Sequence, residues 1–292
     1  RYIFNITLSH SLSIEDYGDF TLALKTLGIF SSFILLGTAT SAKRFLSEYM
    51  HKHDQTSSLH YIHWNLHLIA KFSLIFITFL TTLCVAMLAL HFFNLKEITS
   101  YHLTFYLLFL APFGALAALL ASYLQCNGNN VLYNLCTQGG MYFLFTLFLL
   151  AMTRFAPLEY TNQTLWILSL TVFVVLNLIE IAIILFYFPF DFIKKICAFR
   201  SYVKTEVLPS WKKTAHRLIV NQMVFLILCT VDLYAVKFCT ESTVTLGQYA
   251  AMLTIAGLLW LLSCSIYSSV TPNISFLLNK KDLIGLQKIV TK

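Results

Sequence analysis

Residues 66–93, LHLIAKFSLIFITFLTTLCVAMLALHFF, decide the fold class. An α-helix rises about 1.5 Å per residue, so about 20 apolar residues cross the roughly 30 Å hydrocarbon core of a bilayer. This stretch is longer than that, and Lys71 is its single Asp, Glu, Lys or Arg residue. Its apolar residues do not alternate with polar ones as they would in a barrel strand. The stretch therefore predicts a membrane-spanning α-helix.

The composition of the whole chain agrees with that prediction. The 292 residues are 58% hydrophobic and only 11% charged, and their mean hydropathy is +0.73. Soluble domains carry about 25% charged residues, so this chain has too few charges to cover a water-facing surface. Phe and Tyr are abundant while Gly and Pro are scarce, which favours long helices over short strands joined by turns.

Seven apolar stretches are long enough to be spans. They are residues 20–40, 66–93, 101–124, 131–154, 165–188, 218–239 and 249–270. The sequence thus predicts an all-α polytopic membrane protein whose seven-helix bundle occupies residues 20–270.

The distribution of Lys and Arg predicts the orientation, because cytoplasmic loops retain positive charge. With the N-terminus outside, fourteen of the twenty Lys and Arg residues fall on the inner side. We therefore expect an extracellular segment at 1–19, a basic cytoplasmic loop at 191–217 and a cytoplasmic, membrane-proximal tail at 271–292. The plasma membrane is the expected location, with an organellar membrane as the alternative.

Two short motifs fit this orientation. Asn5-Ile6-Thr7 and Asn162-Gln163-Thr164 are both N-glycosylation acceptor patterns. Both lie in segments that the charge distribution places outside. We expect glycans at Asn5 and Asn162.

The formal net charge of +7 indicates contact with membrane lipid rather than with nucleic acid. Basic residues beside apolar helices usually set the topology and attract anionic headgroups. In the loop at 191–217, apolar residues and cations follow each other at spacings that suit an interfacial helix, and the same surface could dock a cytoplasmic partner. The candidate partner-coupling residues of this loop are Lys194, Lys195, Arg200, Lys204, Lys212, Lys213 and Arg217.

Polar residues within the predicted spans are the candidate intramembrane site, because such groups are costly in lipid and are often functional. They are Lys71 in span two, Asn177 and Glu180 in span five, and Asn221, Gln222 and Asp232 in span six. Asn177 and Glu180 are three residues apart and share a helix face. Lys71 either snorkels to the headgroups or pairs with Glu180 or Asp232.

No pattern for catalysis, a metal or a cofactor emerges from the sequence. The seven cysteines form no C-x-x-C motif, and no Cys/His cluster has zinc spacing. G-x-S-x-G, H-E-x-x-H and Gly-rich phosphate loops are absent. We therefore expect neither an enzyme nor a bound cofactor.

The predicted topology resembles the G-protein-coupled receptor superfamily, particularly its divergent chemosensory branches. The resemblance rests on seven spans, an exterior N-terminus with acceptor motifs, a basic third inner loop and a short basic tail. The stretch SSVTPNISFLLNKK at 268–281 is similar to the proline-containing end of helix seven that turns into a surface helix. The stretch KTAH at 213–216 is similar to the segment ahead of span six in bitter-taste receptors.

The resemblance implies a receptor that senses a ligand in the outer half of the bundle. A shift of spans five and six would then signal through the basic third inner loop, with a G protein as the implied partner. The sequence departs from the family pattern, because span three ends in SYLQC at 122–126 without an acidic-Arg-aromatic triplet. The alternative is therefore a transporter, a channel or a structural subunit of a larger membrane complex.

Overall fold

The computed structural model describes residues 2–52, 54–92, 102–127, 129–155, 162–187, 208–240, 244–257 and 287, and these residues contain no strand. Scarce Gly and Pro leave long stretches in which each backbone group bonds within its own helix, as a membrane interior requires. The helices are α1 Tyr2–Ser11, α2 Ile14–Leu35, α3 Thr38–His51, α4 Gln55–Phe92, α5 His102–Leu108, α6 Ala111–Cys126, α7 Asn130–Asn134, a π-helix Leu135–Gly140, α8 Met141–Phe155, α9 Asn162–Tyr187, α10 Leu208–Leu228, α11 Val231–Cys239 and α12 at 244–257.

Four helices of the described chain are long and apolar enough to cross a membrane. They are Ile14–Leu35, Gln55–Met87, Asn162–Tyr187 and Leu208–Cys239, the last of which combines α10 and α11. A bent pair, Asn130–Thr137 with Met141–Arg154, makes a fifth candidate with a 45° bend. These findings confirm the prediction of an all-helical membrane protein, with four to five candidate spans among the described residues.

The stretch predicted as span three is divided into two shorter helices. The sequence predicts one helix at 101–124, whereas α5 ends at Leu108 and α6 begins at Ala111. Pro112 explains the interruption, because it has no N–H to bond the Leu108 carbonyl and its ring crowds that carbonyl. Of the predicted seventh span at 249–270, the described residues reach 257 and lie in α12.

Span one ends earlier than the sequence predicts. The apolar stretch extends to residue 40, but α2 ends at Leu35. Leu36 and Gly37 then adopt left-handed backbone angles, with φ of 48° and 75°. A Cβ at residue 37 would overlap the Ala215 carbonyl oxygen, so glycine lets α10 approach this turn. The chain turns here and starts α3, which packs against α4, α6 and α10.

Span six is interrupted as well. The sequence predicts one helix at 218–239, whereas α10 begins at Leu208 and a break at Cys229 and Thr230 separates it from α11. The buried Thr230 hydroxyl donates to the carbonyls of Leu226 and Ile227, at 2.8 and 3.1 Å. Hydroxyl bonds of this kind satisfy carbonyls that the next turn no longer reaches, and they often bend helices.

The predicted extracellular segment 1–19 folds onto the bundle. Residues 2–11 form α1, which packs along α8, and residues 14–19 already belong to α2. The Phe4 ring lies 5.4 Å from the rings of both Tyr142 and Phe145. These contacts make α1 part of the helix bundle.

Helix α2 lies at the centre of the packing, against α4, α5, α6 and α10. At its N-terminal end it also approaches α12, where a Cβ on Gly18 would lie only 2.7 Å from the backbone nitrogen of Gly247. Small residues permit such close helix contacts in membranes.

Two buried clusters divide the bundle along α2. The phenylalanine cluster surrounds the N-terminal half of α2, and its buried rings are Phe4, Tyr17, Phe20, Phe145 and Phe173. The tyrosine–tryptophan cluster surrounds the C-terminal end of α2 and α3. Its buried rings are Phe45, Tyr61, Trp64, Phe76, Tyr123 and Trp211, and the partly buried Tyr49 packs against them. They lie toward opposite ends of the bundle.

Candidate functional site

The tyrosine–tryptophan cluster is organised around Trp211 at the start of α10. Its ring centroid lies 5.0 Å from Tyr61, edge to face at 88°, and 5.6 Å from Trp64. Its indole N–H donates to the Tyr49 hydroxyl at 3.0 Å. The Tyr61 hydroxyl shares a 2.6 Å hydrogen bond with Ser41. These bonds give buried polar atoms partners in a setting where unpaired ones are costly.

Polar contacts from α3 tie several helix ends to this cluster. Lys43 donates to the Tyr133 hydroxyl of α7 at 2.8 Å and also lies over that ring. The Cys126 thiol at the end of α6 donates to the Ala42 carbonyl at 3.3 Å. Near the start of α4, Asn65 donates to the Tyr123 hydroxyl at 3.5 Å. The C-terminal ends of α2 and α6 and the N-terminal ends of α4, α7 and α10 therefore meet at one end of the bundle.

A cavity of about 210 Å³ opens beside the cluster. It lies between the α2–α3 turn, α4 and α10. Its lining residues are Leu36, Thr38, Trp64, Leu68, Lys212, Ala215, His216 and Ile219. Six of these are apolar or bear a single hydroxyl, and the other two, Lys212 and His216, are exposed on α10.

The predicted partner-coupling residues are partly described. Lys212, Lys213 and Arg217 are exposed on the first turns of α10. Lys194, Lys195, Arg200 and Lys204 lie outside the described residues. At the end of α3, Lys52 donates to Glu48 at 2.6 Å, and this hydrogen bond raises the pKa of Lys52. The Lys52 ammonium is therefore held in its charged form at this end of the bundle.

Of the two amide side chains predicted to be functional in span six, Gln222 forms hydrogen bonds with other helices. Gln222 donates to the Ser32 hydroxyl of α2 at 3.2 Å and accepts from the Thr40 hydroxyl of α3 at 3.4 Å. Asn221, one residue earlier, is exposed. Gln222 thus links α10 to the helices on both sides of the Leu36–Gly37 turn.

Asn177 and Glu180 do share a buried face of α9, as their spacing predicts. The Asn177 amide donates to the carbonyls of Phe173, at 2.7 Å, and Phe113, at 3.1 Å. Glu180 is 1% exposed, and its Oε2 has no hydrogen-bond partner among the described atoms. A neutral, protonated carboxyl suits this apolar setting.

Lys71 is not brought to either acid. It is exposed on α4 and makes no ion pair or hydrogen bond with the described residues. Asp232 instead accepts from the Tyr249 hydroxyl of α12 at 3.1 Å and from the Leu233 backbone at 2.9 Å. The possible Lys71–Glu180 or Lys71–Asp232 pair is therefore not formed.

Sequence reasoning missed a group of polar contacts at the end of the bundle opposite the tyrosine–tryptophan cluster. Lys237 of α11, whose side chain is 8% exposed, forms a 2.7 Å ion pair with Asp19 of α2. Tyr234 of α11 shares a 2.5 Å hydrogen bond with Thr26 of α2. The signal that could have indicated them is the three-residue spacing of Tyr234 and Lys237, which places both on one face of a short helix.

The two predicted glycosylation sites differ in setting. Asn162 is exposed at the first residue of α9. Asn5 is half-buried within α1.

The described part of the chain contains no cluster of side chains suited to a metal ion, and its cysteines form no disulfide bond. No group of three or more His, Cys, Asp or Glu side chains there could hold a metal ion. Cys84, Cys126, Cys136, Cys229 and Cys239 are free thiols. Cys197 and Cys264 lie outside the described residues.

Comparison with known proteins finds no match: no protein-family model, no curated protein and no solved structure matches this chain.

Proposed function

We propose that this chain is a seven-span, receptor-like signalling protein of the plasma membrane, with its N-terminal side outside and its C-terminus cytoplasmic. The observation that carries the proposal is the construction of span six. It consists of two helices, α10 and α11, with a break at Cys229 and Thr230. Each piece has its own polar contacts with α2, and α10 exposes three cations at its start.

This construction suits transmission between the two ends of the bundle. Ligand binding near α11 and α12 would disturb the Asp232–Tyr249 hydrogen bond or the Asp19–Lys237 ion pair. Movement of α11 would then act on α10, whose position is held by Gln222 and Trp211. The result would be a displaced basic surface for a cytoplasmic partner such as a G protein.

The pair of spans between which we propose motion differs from the pair that the family resemblance implies. The resemblance implies a joint shift of spans five and six. Among the described residues, α10 packs mainly against α2 and α3, while α9 packs against α5, α6, α8 and the π-helix. The proposed motion is therefore of span six against span one.

The proposed topology, in which consecutive spans run in opposite directions, is supported by which helix ends lie together. The ends that meet around α3 are those expected on the inner side, where the basic residues gather. At the opposite end, Asp19 meets Lys237, and the Trp166 indole at the start of α9 donates to the Tyr106 carbonyl of α5 at 2.9 Å. Glycans at the exposed Asn162 and at Asn5 belong to the same proposal.

Affinity purification of the full-length protein in mild detergent, with mass spectrometry of what accompanies it, tests the function. The variant reverses charge at three positions, Lys212→Glu, Lys213→Glu and Arg217→Glu. We expect a stable, glycosylated species whose captured cytoplasmic partner falls by about tenfold or more in the variant, because like charges at an interface repel. Surface expression should not change.

The control reverses one exposed charge at the opposite end, Arg154→Glu, and should capture the partner as the unaltered protein does. A fixed set of membrane subunits that accompanies all three proteins equally would contradict the receptor proposal.

A structural subunit of a membrane complex is the second candidate, and α4 is the observation that favours it. Between residues 70 and 87, this helix exposes large apolar side chains around much of its circumference, including Leu74, Ile75, Phe79 and Val85. Such a surface suits a partner helix as well as lipid. The same purification identifies this case by its fixed membrane partners.

A further inference from the structure

The cavity beside Trp64 combines two kinds of lining. Leu36, Leu68 and Ile219 supply aliphatic surface, while Lys212 and His216 supply cationic or hydrogen-bonding groups. No lining residue is acidic, so nothing in the lining neutralises the Lys212 ammonium. An amphiphile with an anionic group fits this combination better than a purely apolar or a cationic ligand.

The position of the cavity is that of a membrane interface. It lies where α2 ends and where α4 and α10 begin, and all three belong to candidate spans. Trp64 lines it, and Trp side chains favour the headgroup region of a bilayer. Along α10, the basic residues end at Arg217 and an apolar sequence begins at Leu218. In a bilayer, this arrangement would place the polar part of the cavity at the headgroups and the aliphatic part beside the acyl chains.

The start of α3 adds positive potential to the same place. Thr38, its first residue, lines the cavity, and no side chain caps this helix end. The unpaired N–H groups of a helix start carry partial positive charge and attract phosphate. The Thr38 hydroxyl itself is occupied, because it donates to the Leu35 carbonyl at 2.6 Å.

The size of the cavity limits what it holds. A volume of about 210 Å³ is smaller than the roughly 300–1,000 Å³ of sites that enclose a whole small ligand. It accommodates part of a larger molecule, such as a headgroup with its first acyl carbons, whose remainder lies in the surrounding lipid.

We propose that this cavity is a binding site for an anionic phospholipid, with the lipid phosphate on Lys212 and His216 and the upper acyl carbons against Leu36, Leu68 and Ile219. The site rests on the membrane-spanning fold and not on the receptor proposal. Its occupancy would hold the α2–α3 turn against α10, whatever signal or assembly the chain serves.

Adjacent lysines provide a matched test. Lys212 lines the cavity and Lys213 does not, yet both are exposed on the second turn of α10. The full-length protein, purified in detergent, is titrated with phosphatidylglycerol or phosphatidylcholine and examined by native mass spectrometry. We expect selective retention of phosphatidylglycerol, and Lys212→Gln should weaken it about fivefold while Lys213→Gln leaves it unchanged.

A second variant removes the space and keeps the charge. Ala215→Leu places a larger side chain in the cavity and should also reduce retention of phosphatidylglycerol. Thermal unfolding of the Ala215→Leu protein in detergent shows whether this variant still folds. If it does not, lipid retention by Lys212→Gln, a substitution at an exposed position, decides whether the cavity binds the lipid.

Three outcomes would overturn the proposal. Equal weakening by Lys212→Gln and Lys213→Gln would mean diffuse attraction to the basic end. Equal retention of phosphatidylcholine would remove the role of the anionic headgroup. Displacement of the lipid by soluble glycerol 3-phosphate at similar concentration would assign the site to a free phosphate compound instead.

Discussion

The phenylalanine cluster and the tyrosine–tryptophan cluster, at the two ends of the bundle, are held together differently. The phenylalanine cluster packs four rings without polar atoms, such as Phe20 and Phe145, whose centroids are 6.0 Å apart, together with the ring of Tyr17. In the tyrosine–tryptophan cluster, the packed rings also donate and accept hydrogen bonds, as Trp211 does with Tyr49. Lipid is as apolar as a protein interior, so burial alone discriminates little between helix arrangements. At the first end, polar contacts lie on side chains beside the phenylalanines, such as Tyr17 and Tyr234, whereas at the second end Trp211, the ring on which the cluster is organised, itself makes one.

Of the substitutions that test this comparison, Gly37→Ala should lower the unfolding free energy most, because it acts where α10 meets the turn beside the tyrosine–tryptophan cluster. A left-handed backbone costs a non-glycine residue about 1–2 kcal/mol, and the new Cβ would overlap the Ala215 carbonyl. We expect a loss of about 3 kcal/mol in unfolding free energy, measured by denaturation in mild detergent.

Gly28→Ala is the control for that change. No neighbouring atom lies within 4 Å of a Cβ at residue 28, and alanine favours a helix over glycine. It should leave stability unchanged or raise it. Equal stability of the two variants would mean that α10 does not approach the turn as described.

Phe20→Tyr should have the next effect, because it places a hydroxyl in the phenylalanine cluster. Phe20 is fully buried among apolar side chains. A buried hydroxyl without a partner costs about 1–3 kcal/mol, so we expect a loss of about 2 kcal/mol in the same denaturation assay. A tyrosine tolerated there without cost would show that the cluster is open to water or to a polar partner.

Tyr61→Phe is the converse change and should have the smallest effect. It removes the hydroxyl that bonds Ser41 but keeps the ring contacts with Trp64 and Trp211. We expect a loss of about 1 kcal/mol in unfolding free energy. Tyr187→Phe, at an exposed position, should change nothing. If Tyr61→Phe and Tyr187→Phe gave the same denaturation curve, the Tyr61–Ser41 hydrogen bond would add nothing to stability. The proposed difference in stabilisation between the two ends would then be contradicted.

Sequence patterns predicted the helices better than their interruptions. Apolar length correctly indicated that residues 66–87 form one helix, and the Asn177–Glu180 spacing correctly indicated a shared face. The breaks at Leu36–Gly37 and at Cys229–Thr230 lie inside apolar stretches where hydropathy does not change. They depend on backbone angles and on contacts with other helices, which a hydropathy pattern does not contain.

The candidate site was predicted in part for a similar reason. Gln222 and the basic residues of α10 were recognised as unusual in their local setting, because polarity in an apolar stretch is visible in the sequence. The aromatic cluster around Trp211 and the Asp19–Lys237 ion pair were missed. Trp211 lies 162 residues from Tyr49, and Lys237 lies 218 residues from Asp19, so sequence patterns do not show that these residues are neighbours.

By itself, the sequence determined that this protein is a helical membrane protein and which residues are costly to place in lipid. Both properties follow from the local length and polarity of the chain, since a helix satisfies its own backbone without any partner. Only the tertiary structure decided that α2 is central, that Lys71 pairs with neither acid, and that a cavity forms beside Trp64. These depend on which helices approach one another, and that choice is made by the shape of packed side chains and by hydrogen bonds between distant residues.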